Sequence, residues 1–263
     1  MSMGFSMTGV SADGELIGVD PATEVEKITC LHAVDKFSGA VMVAPTAQKG
    51  QTYTKYSVTE LVKFLQFLNC EEVGLRCDNE PSLLAIANLV RNARTKMGLR
   101  THVDTSPVGE SQSNGHAERT IQTTRRLAMT FLAQVNEKAE MRVMPSHPLF
   151  SWAMVHSAWV INHFKVSGGV TPFEQLSGTR YSGKLAWFGE TVYGHTKTGQ
   201  KGDLKWVPAV WVGKTLLNNM NILLTPAGVF LARSVRRTTV PWRKEMLNAV
   251  HGHAYDYNPA GLV

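Results

Sequence analysis

The chain has 263 residues, 27 of them Lys or Arg and 21 Asp or Glu, with a formal net charge of +6 and a hydrophobic fraction of 43 %. That apolar content excludes a disordered chain, and no apolar run reaches the ~18 residues that a membrane-spanning helix needs. The first ten residues carry neither a basic n-region nor a small-residue cleavage site, so no secretory signal is read there. Cys30, Cys70 and Cys77 form no CxxC pair, and the odd count reads as reduced thiols of an intracellular protein, held mostly in the core. The nine histidines fall in no zinc-site spacing.

In chain order, residues 2–10 read as a first strand, followed by a polar loop over 11–26. The runs 27–34 and 38–44 are rich in β-formers and flank the turn Asp35-Lys36-Phe37, which predicts an antiparallel hairpin. Residues 57–69 predict a helix capped by Ser57 with Glu60 as its capping-box partner, and Leu61, Phe64, Leu65 and Leu68 recur at helical spacing. A strand over 73–77 leads to a helix over 81–97 that opens on Pro81 and stops at Gly98. A strand follows over 99–103, then a breaker-rich loop over 105–115. A long helix is predicted over 115–137 and an amphipathic one over 149–164, separated by Pro145 and Pro148. The order β-β-β-α-β-α-β-α-α defines a mixed α/β domain with three leading antiparallel strands. From about Ala186 the pattern changes to short β-rich runs between Gly, Pro and Asn turns, which predicts a small all-β barrel. The predicted division is 1–184, 185–245 and a loosely held tail over 246–263. The six tryptophans read as core or domain-contact residues.

The net charge hides a gradient. Residues 1–90 carry six basic and eleven acidic side chains, 91–126 seven and three, 127–184 five and three, and 185–263 nine and four. An acidic first third followed by a basic middle and end suits a surface that meets a polyanion on one side. Two carboxylates stand out against this background. Asp78 follows a predicted strand, a common place for functional side chains in α/β sheets. Glu118 falls in the first turn of the long helix, where Gln122 and Arg125 share its face and Arg119 and Arg126 border it. Ile121, Thr124, Ala128, Phe131, Leu132 and Val135 take the opposite, sheet-facing side. Each acid has a plain structural reading, because an acid favours a helix N-terminus and Asp-Asn is ordinary turn chemistry. Two carboxylates on rigid elements beside a basic track can instead share divalent ions that serve phosphodiester chemistry, with Mg2+ or Mn2+ suited to hard oxygen ligands.

CDNEPSLLAI followed by PVGESQSNGHAERTIQ resembles the core of retroviral and retrotransposon integrases of the DDE type. AVDKFSGAVMVAP resembles the hairpin after the family's first catalytic strand. FGETVYG, WVGK and GVFLARSVRR resemble the small C-terminal barrel of copia-type members. The resemblance covers about residues 2–243. It implies an RNase H-like mixed sheet flanked by helices, followed by a small barrel like that of Src-homology-3 domains. The implied activity is metal-dependent polynucleotidyl transfer in DNA integration, with Asp78 and Glu118 as metal ligands. The implied DNA contacts are Asn79, Gln112, Ser113 and Asn114 around the active-site loop, with Gly109 and Gly115 as its hinges, then Arg119, Gln122, Arg125 and Arg126 on the helix and Arg233, Arg236 and Arg237 on the barrel. It also implies DNA ends and target DNA as partners, a homo-oligomer and no membrane. The implied location is the nucleus, or a cytoplasmic virus-like particle before import. Family members usually carry an upstream zinc-binding module, so the chain reads as a piece of a longer polyprotein.

One departure bears on activity. The family's first catalytic Asp stands in a context like MDF, and the matching residues are Met3-Gly4-Phe5. Gly4 offers no carboxylate, and Asp35 matches a turn residue that is structural in the family. Loss of one shared ligand weakens a metal pair, so the chain reads as an integrase by descent with impaired turnover. The alternatives are an inactive, integrase-derived DNA-binding or assembly protein, and an RNase H-like nuclease, which leaves the barrel unexplained.

Overall fold

A computed structural model describes residues 2–4, 7–8, 28–47, 51–105, 115–196 and 205–257. Strands β1 (Ser2–Gly4) and β2 (Met7–Thr8) pair with β3 (Thr29–Asp35) in one continuous register, Met3 opposite Asp35 and Thr8 opposite Cys30. On its other side β3 pairs with β4 (Val41–Thr46) as the predicted antiparallel hairpin. The Asp35 carboxylate accepts hydrogen bonds from the amide and hydroxyl of Ser38 at 2.9 and 2.7 Å, which closes the turn and gives this acid the structural role expected of it. β1 also pairs in parallel with β5 (Glu72–Cys77), and β5 in parallel with β6 (Arg100–Thr105). The resulting line, with three antiparallel members and then two parallel ones, is the mixed RNase H-like sheet.

Helices α1 (Thr54–Phe67) and α2 (Pro81–Lys96) cover one face, where Leu31, Ala33, Leu75 and Cys77 meet Leu61, Phe64, Leu83 and Ala87. The Ser57 cap is not formed. α1 starts three residues earlier, Ser57 is buried inside it, and Glu60 pairs with Lys63 at 2.6 Å. α2 ends as predicted, with Gly98 at φ +77°, a conformation that glycine adopts without steric cost.

Helices α3 (Gly115–Ala139) and α4 (Pro148–Phe164) cover the other face. Pro148 opens α4 rather than preceding it, since a first-turn proline lacks only an N–H that has no helical partner. α4 is buried almost all round, which corrects the expected amphipathic helix: its Ser151, His156, Ser157, Asn162 and His163 are buried along with its apolar residues. Its Asn162 side chain bonds both the N–H and the C=O of Val41, at 2.7 and 2.8 Å, and so completes backbone pairing on the edge strand β4. A short helix, α5 (Pro172–Ser177), follows; the sequence reading did not include it.

The C-terminal sheet runs β10-β9-β8-β7-β11, built from β7 (Thr191–His195), β8 (Trp206–Lys214), β9 (Asn221–Thr225), β10 (Gly228–Ala232) and β11 (Val235–Arg237), all antiparallel. Its two edge strands are joined only by Arg233 and Ser234. Such a link reaches about 11 Å, whereas a flat sheet would hold those edges about 19 Å apart. The sheet therefore curls on itself as a small barrel, around Val192, Ala209, Trp211, Leu223 and Ala232. Alternate residues Val210, Val212, Ile222 and Leu224 face outward and enter the same core as α3 and α4.

Residues 246–257 are held, contrary to the expected loose tail, whose remaining residues lie outside those described. α6 (Lys244–Ala249) buries Leu247, the Trp152 indole donates to Gly252 O at 2.9 Å, and Ser151 Oγ accepts from the Ala254 amide at 3.0 Å. Trp187 is 56 % exposed, which corrects its reading as a core or domain-contact residue. All three cysteines are free thiols, and burial pushes Cys30 up to about 12. No helix among the described residues is long and apolar enough to cross a membrane.

Candidate functional site

The site is built around β1. Gly4 lies opposite Val34 on the antiparallel side and opposite Arg76 on the parallel side. Val73, Leu75 and Cys77 enter the α1/α2 core, so Gly74 and Arg76 alternate to the face that α3 covers. Register partners share a face, which puts position 4 on that side as well. Asp78 stands one residue past the end of β5, half-buried, and Asn79 beside it is exposed.

α3 brings Glu118 to this side in its first turn, where the carboxylate is exposed. Arg119, Gln122 and Arg126 are exposed and Arg125 is half-buried, while Ile121, Thr124, Ala128, Leu132 and Val135 are buried. The two faces read from the helical spacing are therefore the two faces found. Gly109, Gln112, Ser113 and Asn114 lie outside the described residues. Among the described residues no group of three or more His, Cys, Asp or Glu side chains is placed to hold a metal ion. Asp78 and Glu118 offer hard oxygen donors suited to Mg2+ or Mn2+, but the glycine on β1 adds none. Among the described residues, these fall short of a ligand set for a metal pair.

His32 belongs to this neighbourhood and escaped the sequence reading. It precedes Val34, the partner of Gly4, by two residues and so shares its face. Its side chain is buried, neither ring nitrogen has a hydrogen-bond partner among the described residues, and burial lowers its pKa to about 4. A lone histidine within an apolar strand gives no sequence signal for such a position.

The barrel arginines divide into different environments. Arg237 pairs with the buried Glu190 at 3.3 Å and donates to Leu185 O at 3.3 Å. It is therefore a structural partner as well as a surface cation. Arg236 stacks over the Trp206 ring at 4.1 Å. It lies opposite the exposed Tyr193, and Trp206 lies opposite His195, their rings 5.1 Å apart. Arg233 is exposed on the link between β10 and β11. Tyr193, His195, Trp206 and Arg236 thus form a mixed aromatic and cationic face. Its members come from three strands, so no local alternation marks it in the sequence.

No protein-family model matches this sequence, and no curated protein matches it either. Solved structures do match. The chain is similar to one from the simian T-cell lymphotropic virus intasome in complex with PP2A regulatory subunit B56 gamma, at 15 % identity and a TM-score of 0.47, over 91 % of this chain and 79 % of that one. It is similar to the catalytic core domain of BIV integrase at 16 % identity and a TM-score of 0.43, covering 66 % of this chain and 93 % of that one. It is also similar to the HTLV-2 integrase catalytic core domain in complex with magnesium, at 17 % identity and a TM-score of 0.42, over 68 % and 95 % of the two chains.

Proposed function

We propose that this chain is an integrase-type DNA-binding protein, of copia-type retrotransposon descent, whose polynucleotidyl transfer is impaired. The observation that carries this reading is the register of β1, which sets a glycine opposite Arg76, two residues before Asp78 and on the face covered by the helix of Glu118. An RNase H-like sheet presents its chemistry at that edge, and here the strand that should contribute a carboxylate contributes none. Asp78 and Glu118 remain as two hard oxygen donors, short of the set that a Mg2+ or Mn2+ pair needs, and this is the physical reason for impaired transfer. Arg119, Arg125 and Arg126 along α3, and Arg233 and Arg236 on the barrel, would meet phosphates of DNA ends and target DNA and fix their position. Self-assembly into an oligomer, a nuclear or virus-like-particle location and origin in a longer polyprotein belong to the same proposal.

A salt titration tests the DNA-binding half. Binding of a short fluorescein-labelled duplex, followed by anisotropy, should weaken linearly in log Kd against log salt. Replacing Arg119, Arg125 and Arg126 together by Ala should make that slope shallower by about two to three units. Salt-independent binding, or an unchanged slope, would overturn this role for α3.

A further inference from the structure

A cavity of about 280 Å3 opens between the two sheets. β4, α1, α4 and the α4-facing side of the barrel line it, with Val43, Tyr56, Trp152, Trp159, Ile222 and Lys214 among its walls. It is mostly apolar, with Glu60, Lys63, Asn162, Lys214 and Asn218 among its polar lining, and lies just under the roughly 300–1,000 Å3 range of ligand pockets. Lys214 stands out among these polar groups. It ends β8, its residue surface is only 8 % exposed, and its ammonium makes one long hydrogen bond, to Asn219 O at 3.3 Å. No carboxylate pairs with it among the described residues. Glu60, the acid on the cavity wall, is already held by Lys63 at 2.6 Å.

We propose that this cavity is a binding site for a small amphipathic carboxylate, its apolar body against Trp152 and Trp159 and its carboxylate on Lys214. A buried cation without an anionic partner is costly, and burial already lowers the Lys214 pKa. A carboxylate supplies the missing charge and lets the ammonium keep its proton. The apolar walls select a hydrocarbon or aromatic body over a sugar or nucleotide, which would leave polar groups unpaired. Asn162, Glu60 and Lys63 also line the cavity, but both ends of the Asn162 amide are engaged by Val41 and the Glu60 and Lys63 charges offset each other, which leaves the ammonium of Lys214 for a ligand carboxylate.

Decanoate and its neutral counterpart 1-decanol are suitable probes, titrated into the full chain with the fluorescence of Trp152 and Trp159 as readout. Decanoate should bind saturably to the native chain and to Lys214→Arg. It should bind Lys214→Met about 30-fold more weakly or worse, while 1-decanol binds all three alike. Circular dichroism melts establish that each variant is folded. Decanoate binding that ignores Lys214→Met, or no saturable binding of either probe by the folded native chain, would overturn the proposal. DNA binding is measured separately, so this result and the function proposed above fail independently.

Discussion

Arg237 shows how a basic residue on a barrel strand acquires two meanings. Its partner Glu190 is 2 % exposed and also accepts from the Trp187 amide at 2.8 Å. Arg237→Met leaves that carboxylate buried without a counter-ion and should cost about 2 kcal/mol of stability. Arg236→Met loses an exposed cation–π contact and should cost less than about 1 kcal/mol. Urea denaturation of the two variants checks this, and equal effects would contradict the assignment. His32 makes a second prediction. The folded chain holds it neutral down to about pH 4, whereas the unfolded chain takes up its proton near pH 6.5. Below pH 6.5 the unfolded state therefore binds more protons, and stability falls as the pH drops toward 4, by up to about 1.4 kcal/mol per pH unit. His32→Leu removes two unpartnered ring nitrogens, so it should leave stability at pH 7 unchanged or higher and flatten the acid side of the profile. Urea midpoints between pH 4.5 and about 7.5 read that slope directly. An unchanged slope would show that His32 titrates normally in the folded chain.

α4 decides how the elements come together. It packs on β4 through Asn162, on α3, and on β8 through His156. Gly213 is where β8 makes room for that histidine. Its φ is +136°, the register slips between Trp211 and Gly213, and a Cβ there would stand 2.9 Å from His156 Nδ1. Gly213→Ala should therefore destabilise the chain by about 3 kcal/mol through overpacking and backbone strain together. A melting temperature close to that of the native chain would show that the contact between barrel and α4 is soft. Elements with local signals were legible in the sequence. The hairpin around Asp35, the two faces of α3 and the glycine after α2 all follow from spacing and capping chemistry. The Ser57 cap misled because a polar residue before an apolar run also fits a buried helix interior. The docking of α6 and the following residues on Trp152 and Ser151 depends on contacts about 100 residues apart, which no local pattern carries.

The whole molecule divides less sharply than its sequence. The change from mixed α/β to all-β near residue 184 is real in the order of elements, yet the outer face of the barrel and the inner face of α4 share one core. The cavity with Lys214 lies along that same seam. The charge gradient also acquires a location. Among the described residues, Arg119, Arg125 and Arg126 lie along α3 and Arg233, Arg236 and Arg237 on the barrel or its link, while five of the eleven acids of residues 1–90 lie outside the described residues. Asp78, Glu118 and Gly4 were named from motif context, and what the register adds is that β1 and β5 are neighbours, with Gly4 opposite Arg76. His32, the Arg237–Glu190 pair and the aromatic face around Trp206 needed the register of distant strands.

Under the proposed function, Gly4 and not the architecture around it limits the chemistry. This is tested most directly by nicking of a supercoiled plasmid in Mn2+, comparing the native chain with Gly4→Asp at matched DNA binding. A restored ligand should raise the rate by about 10- to 100-fold. Equal rates, or a folded, DNA-binding variant with no gain, would contradict the account.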